Sequence, residues 1–220
     1  MKRILVASLF VGVFLLSCAQ TTPYASGSSD ATNATTATTH TGKAAEFHDA
    51  MRKLWEDHIT WTRLFIVSAA GDLPDKQATT ERLLQNQVDI GNAIKPYYGN
   101  EAGEKLTALL KEHITIAAEL VTAAKANDQA KVTDAKTRWT ANADQISTFL
   151  SGANAKNWPE AEMKKMMREH LDLTTAEATA RLNKDWKADI AAYEKVHDQI
   201  LHMADMLSDG IIKQFPEKFK

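Results

Sequence analysis

From Lys43 onward the apolar residues recur at i, i+3, i+4 and i+7 rather than at every second position, as in Leu54, Trp55, His58, Trp61, Thr62 and Phe65. A stripe of that period runs along one face of an α-helix, and no alternating run competes with it as a strand. The stripes are interrupted at Gly71-Asp72-Leu73-Pro74, from Pro96 to Gly103, at Asn127-Asp128, from Gly152 to Pro159, from Asn183 to Asp185, and at Pro216. Glycine, proline and Asn/Asp clusters of this kind end helices. The pattern predicts six helices, roughly 43–70, 74–97, 101–126, 128–150, 159–182 and 185–214. The expected fold class is all-α, a six-helix bundle.

Laid over itself, the chain shows a repeat with a period of about 55 residues. Leu54-Trp55-Glu56-Asp57-His58-Ile59, Leu109-Leu110-Lys111-Glu112-His113-Ile114 and Met166-Met167-Arg168-Glu169-His170-Leu171 align without gaps. Asp72, Asp128 and Asp185 follow those histidines at similar distances, where the N-cap of a second helix is expected. Asp89-Ile90, Asp144-Gln145-Ile146 and Asp198-Gln199-Ile200 follow in turn. The expectation is three helical hairpins, each with a His on its first arm and an Asp on its second.

The N-terminus has a different pattern. Lys2 and Arg3 precede an apolar run from Ile4 to Leu16, too short for a spanning helix of roughly 20 residues but of the length of a secretory h-region. The run ends in Leu15-Leu16-Ser17-Cys18, which resembles the bacterial lipobox, where the chain is cut before the cysteine and its thiol is acylated. That resemblance implies residues 1–17 as signal peptide and Cys18 as a lipid anchor. With Ala19 and Gln20 next, it implies a cell-envelope protein on the outer membrane, facing the periplasm or the exterior. Residues 18–42 are rich in Thr, Ser and Ala and poor in large apolar side chains, which predicts a disordered tether to a bundle domain at 43–220. His40 and His48 bracket its end as exposed histidines with only a weak metal signal.

Beyond the anchor, the chain resembles a family of small, uncharacterised bacterial helical proteins. The resemblance runs from about Leu54 to Phe219. It rests on Leu54-Trp55-Glu56-Asp57-His58, Trp61-Thr62-Arg63, Asn142-Ala143-Asp144, Glu169-His170-Leu171-Asp172-Leu173-Thr174-Thr175, and Gly210 with Lys213-Gln214-Phe215-Pro216. Some relatives are labelled glycosyltransferase or acetylglutamate kinase. The chain has no Gly-rich phosphate loop and no α/β alternation, so neither chemistry has its usual apparatus here.

Composition narrows the chemistry. With 26 Lys plus Arg against 28 Asp plus Glu, the chain is acidic even before Lys2 and Arg3 are removed, the wrong sign for a nucleic-acid binder. A single cysteine excludes internal disulfides and thiolate zinc sites. His58, His113 and His170 lie on apolar faces. They are expected either as neutral imidazoles hydrogen-bonded across each hairpin, to Gln87, to Asn142 and to the stretch around His197, or as ligands converging on one metal ion. Met166, His170, His197, His202 and Met206 on the last two helices add thioethers and imidazoles, which suit copper, so the candidate metal set is these five with His58 and His113. Asp89, Asp144 and Asp198 are expected as buried polar partners beside Gln87 and Asn142. Arg63, Lys53 and Glu56 are expected to form i, i+4 pairs on their own helix. The functional expectation is a lipid-anchored binding or scaffold module with a possible protein partner, with copper binding as the alternative and an enzyme third.

Overall fold

The stripes become six helices in the computed structural model, which describes residues 40–220. The signal-like run, Cys18 and the Thr/Ser/Ala-rich stretch as far as residue 39 lie outside the described residues. The helices are α1 (Lys43–Gly71), α2 (Lys76–Tyr98), α3 (Asn100–Lys125), α4 (Gln129–Asn154), α5 (Glu160–Leu182) and α6 (Trp186–Gln214), followed by a 3-10 turn at Pro216–Phe219. None of them is long and apolar enough to cross a membrane.

Short connections make successive helices antiparallel neighbours, and each packs on the next. The order closes on itself, because α6 also packs along α1. The result is a ring of six helices around a shared interior. One end, here called proximal, carries the entry to α1, the exit from α6 and the turns after α2 and α4. The distal end carries the turns after α1, α3 and α5.

Those three distal turns share one device. Asp72, Asn127 and Lys184 adopt positive φ of 51°, 56° and 60°, the left-handed conformation that ends a helix. They stand 55 and then 57 residues apart, the same steps that separate His58, His113 and His170. Asp128 and Asp185 then cap the next helices, accepting from the backbone N–H of Lys131 and Ala188. The first turn departs from expectation. Asp72 is the C-cap of α1 rather than the N-cap of α2, because Leu73 and Pro74 lengthen this connection and α2 starts only after Asp75.

Two breakers turn out to lie inside helices. Pro96 sits in the last turn of α2, where little of the helix follows it. Helix α4 continues past Gly152 because Asn154 is buried at its end and donates to the carbonyl of Gly210 at 2.9 Å.

The interior divides into two apolar clusters. The larger contains Met51, Trp55, Ile90, Leu110, Ile146, Met163, Ile200 and Leu207 and draws on every helix. A smaller cluster of Phe65, Ile66, Ala69, Leu83, Ile114 and Val121 fills the distal half of α1, α2 and α3.

Candidate functional site

His58, His113 and His170 are buried, each about 3–4% exposed, and all three line one central cavity of about 30 Å3. Each meets an amide 29 residues further on. His113 Nδ1 is 2.8 Å from Asn142 Oδ1, His170 Nδ1 is 3.1 Å from Gln199 Oε1, and His58 Nδ1 is 3.3 Å from Gln87 Nε2. The partner in the third hairpin is therefore Gln199, two residues beyond the His197 stretch expected from the sequence.

The amides fix the tautomers of His113 and His170. Asn142 Nδ2 donates to the carbonyl of Leu109 and Gln199 Nε2 to that of Met166, in each case four residues before the histidine. Their oxygens must then accept, so His113 and His170 are protonated at Nδ1 and keep a lone pair at Nε2. In the first hairpin two side chains divide the task. Asn86 donates to the carbonyl of Leu54, while Gln87 Nε2 faces the acceptors Leu83 O, Asn86 Oδ1 and His58 Nδ1. Three acceptors compete for the two hydrogens of Gln87 Nε2, and Gln87 Oε1 is left without a partner. The cavity that the three rings line is large enough for about one water molecule.

Burial drives these imidazoles neutral. It pushes His113 down to about 3, with His170 adding repulsion, and His170 down to about 4. His58 is held well below its ordinary value by burial first and by the neighbouring His170 and His113 next.

The metal set expected on the last two helices is not brought together. His170 belongs to the cavity, where the thioether-bearing neighbours are Met51, Met167 and Met203. Met166 and His202 line an outer groove between α5 and α6. His197 is half-buried and hydrogen-bonds Glu56 at 3.0 Å, and Met206 is half-buried with its carbonyl accepting from Trp158 Nε1. A helix turns about 100° per residue, so a stripe inward at Met163, Met167 and His170 leaves Met166 on the flank. The stripe Val196, Ile200, Met203 and Leu207 likewise turns His202 outward. The same rotation corrects the aspartates expected as buried partners. Asp198 is exposed, and Asp89 and Asp144 are half-buried, beside Gln85 and Arg82 and beside Arg168 respectively.

Arg63 does not pair along its own helix. It crosses to Glu177 at 2.9 Å and grips Asp189 with both Nη atoms, and Arg181 also reaches Asp189 at 3.2 Å. Both carboxylates are 1% exposed. Burial pushes Glu177 up to about 7 against the pull of Arg63, while in Asp189 the two guanidiniums outweigh burial and hold it below its usual range. This lock joins α1, α5 and α6.

In the distal half lies a larger apolar pocket of about 260 Å3. Phe65 and Ile66 of α1, Leu83 of α2, Ile114 and Val121 of α3, Trp139 of α4 and Thr174 of α5 line it. Two of these side chains carry polar atoms without a partner, Trp139 Nε1 and Thr174 Oγ1. The residues are only 3% and 6% exposed, so neither atom is repaid by bulk water. Nothing in the sequence singles out this pair, since each reads as one more position on a buried stripe.

Compared with protein-family models, characterised proteins and solved structures, the chain matches none of them. The functional reading therefore rests on the chain's own residues.

Proposed function

We propose that this chain is a lipid-anchored protein of the bacterial cell envelope whose helical ring binds a small, largely apolar molecule in the distal pocket. The observation that carries the reading is the distal pocket itself, about 260 Å3 and mostly apolar, with Thr62, Gln129, Lys136, Thr175 and Thr179 as its polar lining and the unpartnered Trp139 Nε1 and Thr174 Oγ1 buried in residues of its wall. A buried donor without a partner costs ~1–3 kcal/mol, a cost that a ligand bearing one acceptor removes. The pocket is smaller than the ~300–1,000 Å3 typical of drug-sized ligands, which favours a short-chain compound. The lipobox-like Leu15-Leu16-Ser17-Cys18 supports the anchor.

Octanoate, an apolar chain ending in an acceptor, serves as the probe. It is expected to raise the melting temperature of the full-length protein. Trp139→Phe and Thr174→Val should each weaken octanoate binding about tenfold, the ~1.4 kcal/mol equivalent of one lost hydrogen bond. Thr174→Val should make the unliganded fold slightly more stable, because the orphaned hydroxyl is gone at nearly constant volume, whereas Trp139→Phe also leaves a cavity and should be less stable than wild type. No response to octanoate in the wild-type protein, or full response in both variants, discards the pocket and leaves a scaffold role.

A second reading places a soft metal ion in the central cavity. The lone pairs of His113 and His170 and the thioethers of Met51, Met167 and Met203 favour it, a donor set suited to Cu(I). Cu(I)-dependent stabilisation lost in His170→Ala and Met167→Leu, but kept in Met166→Leu, would support this reading.

A further inference from the structure

At the proximal end the chain enters α1 through Gly42, whose φ of 57° belongs to the left-handed region that glycine adopts freely. That turn carries His40 onto α6, where its Nε2 lies 2.6 Å from Asp209 Oδ1. His48, in the second turn of α1, holds its ring 5.0 Å from that of His40, tilted by 45°. Among the described residues, His40, His48 and Asp209 form a group of imidazole and carboxylate donors whose ligand atoms all lie within 4.8 Å of one another. The two histidines expected to be exposed are half-buried and meet a carboxylate from the far end of the chain.

We propose that His40, His48 and Asp209 form a binding site for a divalent transition cation, which clamps the segment preceding α1 onto α6. Two imidazoles and one carboxylate are a common donor set for such ions, and they leave a coordination position for water. Donors about 2 Å from one ion stand roughly 3.3 Å apart at tetrahedral angles, so the His40–Asp209 pair at 2.6 Å opens slightly and the wider separations, up to 4.8 Å, close. The surroundings supply the outer contacts. Asp205, one helical turn before Asp209, lies 3.1 Å from His48 Nε2 and also holds Arg52. Asp49 lies 3.4 Å from His48 Nδ1, so whichever nitrogen binds the ion, the other has a carboxylate to orient it. Lys213 approaches the second oxygen of Asp209 at 3.3 Å and leaves Oδ1 to the histidines. Binding replaces the direct contact between His40 and Asp209 with a bond from each to the ion.

The test uses full-length protein purified without a His tag and stripped with chelator. Zn2+ affinity is measured by chelator competition, and Co2+ serves as a spectroscopic probe of nitrogen and oxygen coordination. One ion per chain is expected, and His40→Ala and Asp209→Asn should each weaken Zn2+ binding at least about tenfold and erase the Co2+ absorption. His40 precedes the first helix, so its replacement should leave the helical circular dichroism unchanged. His202→Ala, an exposed histidine elsewhere on α6, should bind Zn2+ as the wild type does. Equal affinity in wild type and His40→Ala, or equal loss in His202→Ala, overturns the proposal. Octanoate stabilisation should persist in His40→Ala, which separates this site from the distal pocket.

Discussion

Four buried titratable residues make the fold sensitive to pH, and they act in opposite directions. His58, His113 and His170 are held neutral in the fold, whereas in the unfolded chain they take up protons below about 6.5. The unfolded state then binds more protons, so stability falls as pH drops through that range, by ~1.4 kcal/mol per pH unit for each histidine. Glu177 acts in the opposite direction. Its folded value of about 7 lies above the ordinary carboxylate range, so it contributes most at low pH and its contribution is lost as pH rises towards 7. Glu177→Gln should remove that loss. Its stability relative to wild type should rise between pH 5 and pH 8 by on the order of 3 kcal/mol, measured as the difference in urea unfolding free energy. A difference independent of pH would mean that Glu177 is ionised throughout.

At the scale of elements, close helix approach depends on particular small residues. Trp158 is buried in the connection before α5 and lies directly over Gly210 of α6, where an added Cβ would collide with the indole nitrogen and its ring neighbours. The same indole donates to the carbonyl of Met206, so it cannot swing aside without losing a hydrogen bond. Gly210→Ala is therefore expected to destabilise the fold by ~1–3 kcal/mol in urea unfolding. Gly152, near the end of α4, has nothing within 4 Å of an added Cβ, and Gly152→Ala should stabilise by up to ~1 kcal/mol through helix propensity alone. The contrast separates packing from propensity with the same chemical change.

For the whole molecule, closure of α6 on α1 sets a polarity. The chain enters at the proximal end beside His40 and Asp209, and the apolar pocket opens among the distal halves of α1 to α5. Helices of 23 to 29 residues, at 1.5 Å per residue, span roughly 35–45 Å, so the chain entry and the pocket lie toward opposite ends of the bundle. Cys18→Ala should move the protein from the membrane fraction to the soluble fraction of cell envelopes, with circular dichroism and urea midpoint unchanged. Retention in the membrane would remove the anchor from the proposal.

Helix number and approximate limits were legible in the sequence because a stripe of 3.6-residue period must be buried whatever lies opposite it. The inward placement of His58, His113 and His170 follows from the same stripes, and so does the position of Gln87 and Asn142 across the first two hairpins. The sequence could not decide which flanking residues turn inward. One helical position, about 100°, separates Met167 in the cavity from Met166 in the outer groove, and Met203 in the core from His202 in solvent. Nor could local spacing foresee contacts made only when the ring closes. Arg63 meets Glu177 and Asp189 more than a hundred residues away, and His40 meets Asp209 across almost the full length of the bundle sequence. Periodicity fixes what each helix must bury, but the partner of a polar side chain depends on which helix becomes its neighbour, and here that was decided by the packing of α6 against α1.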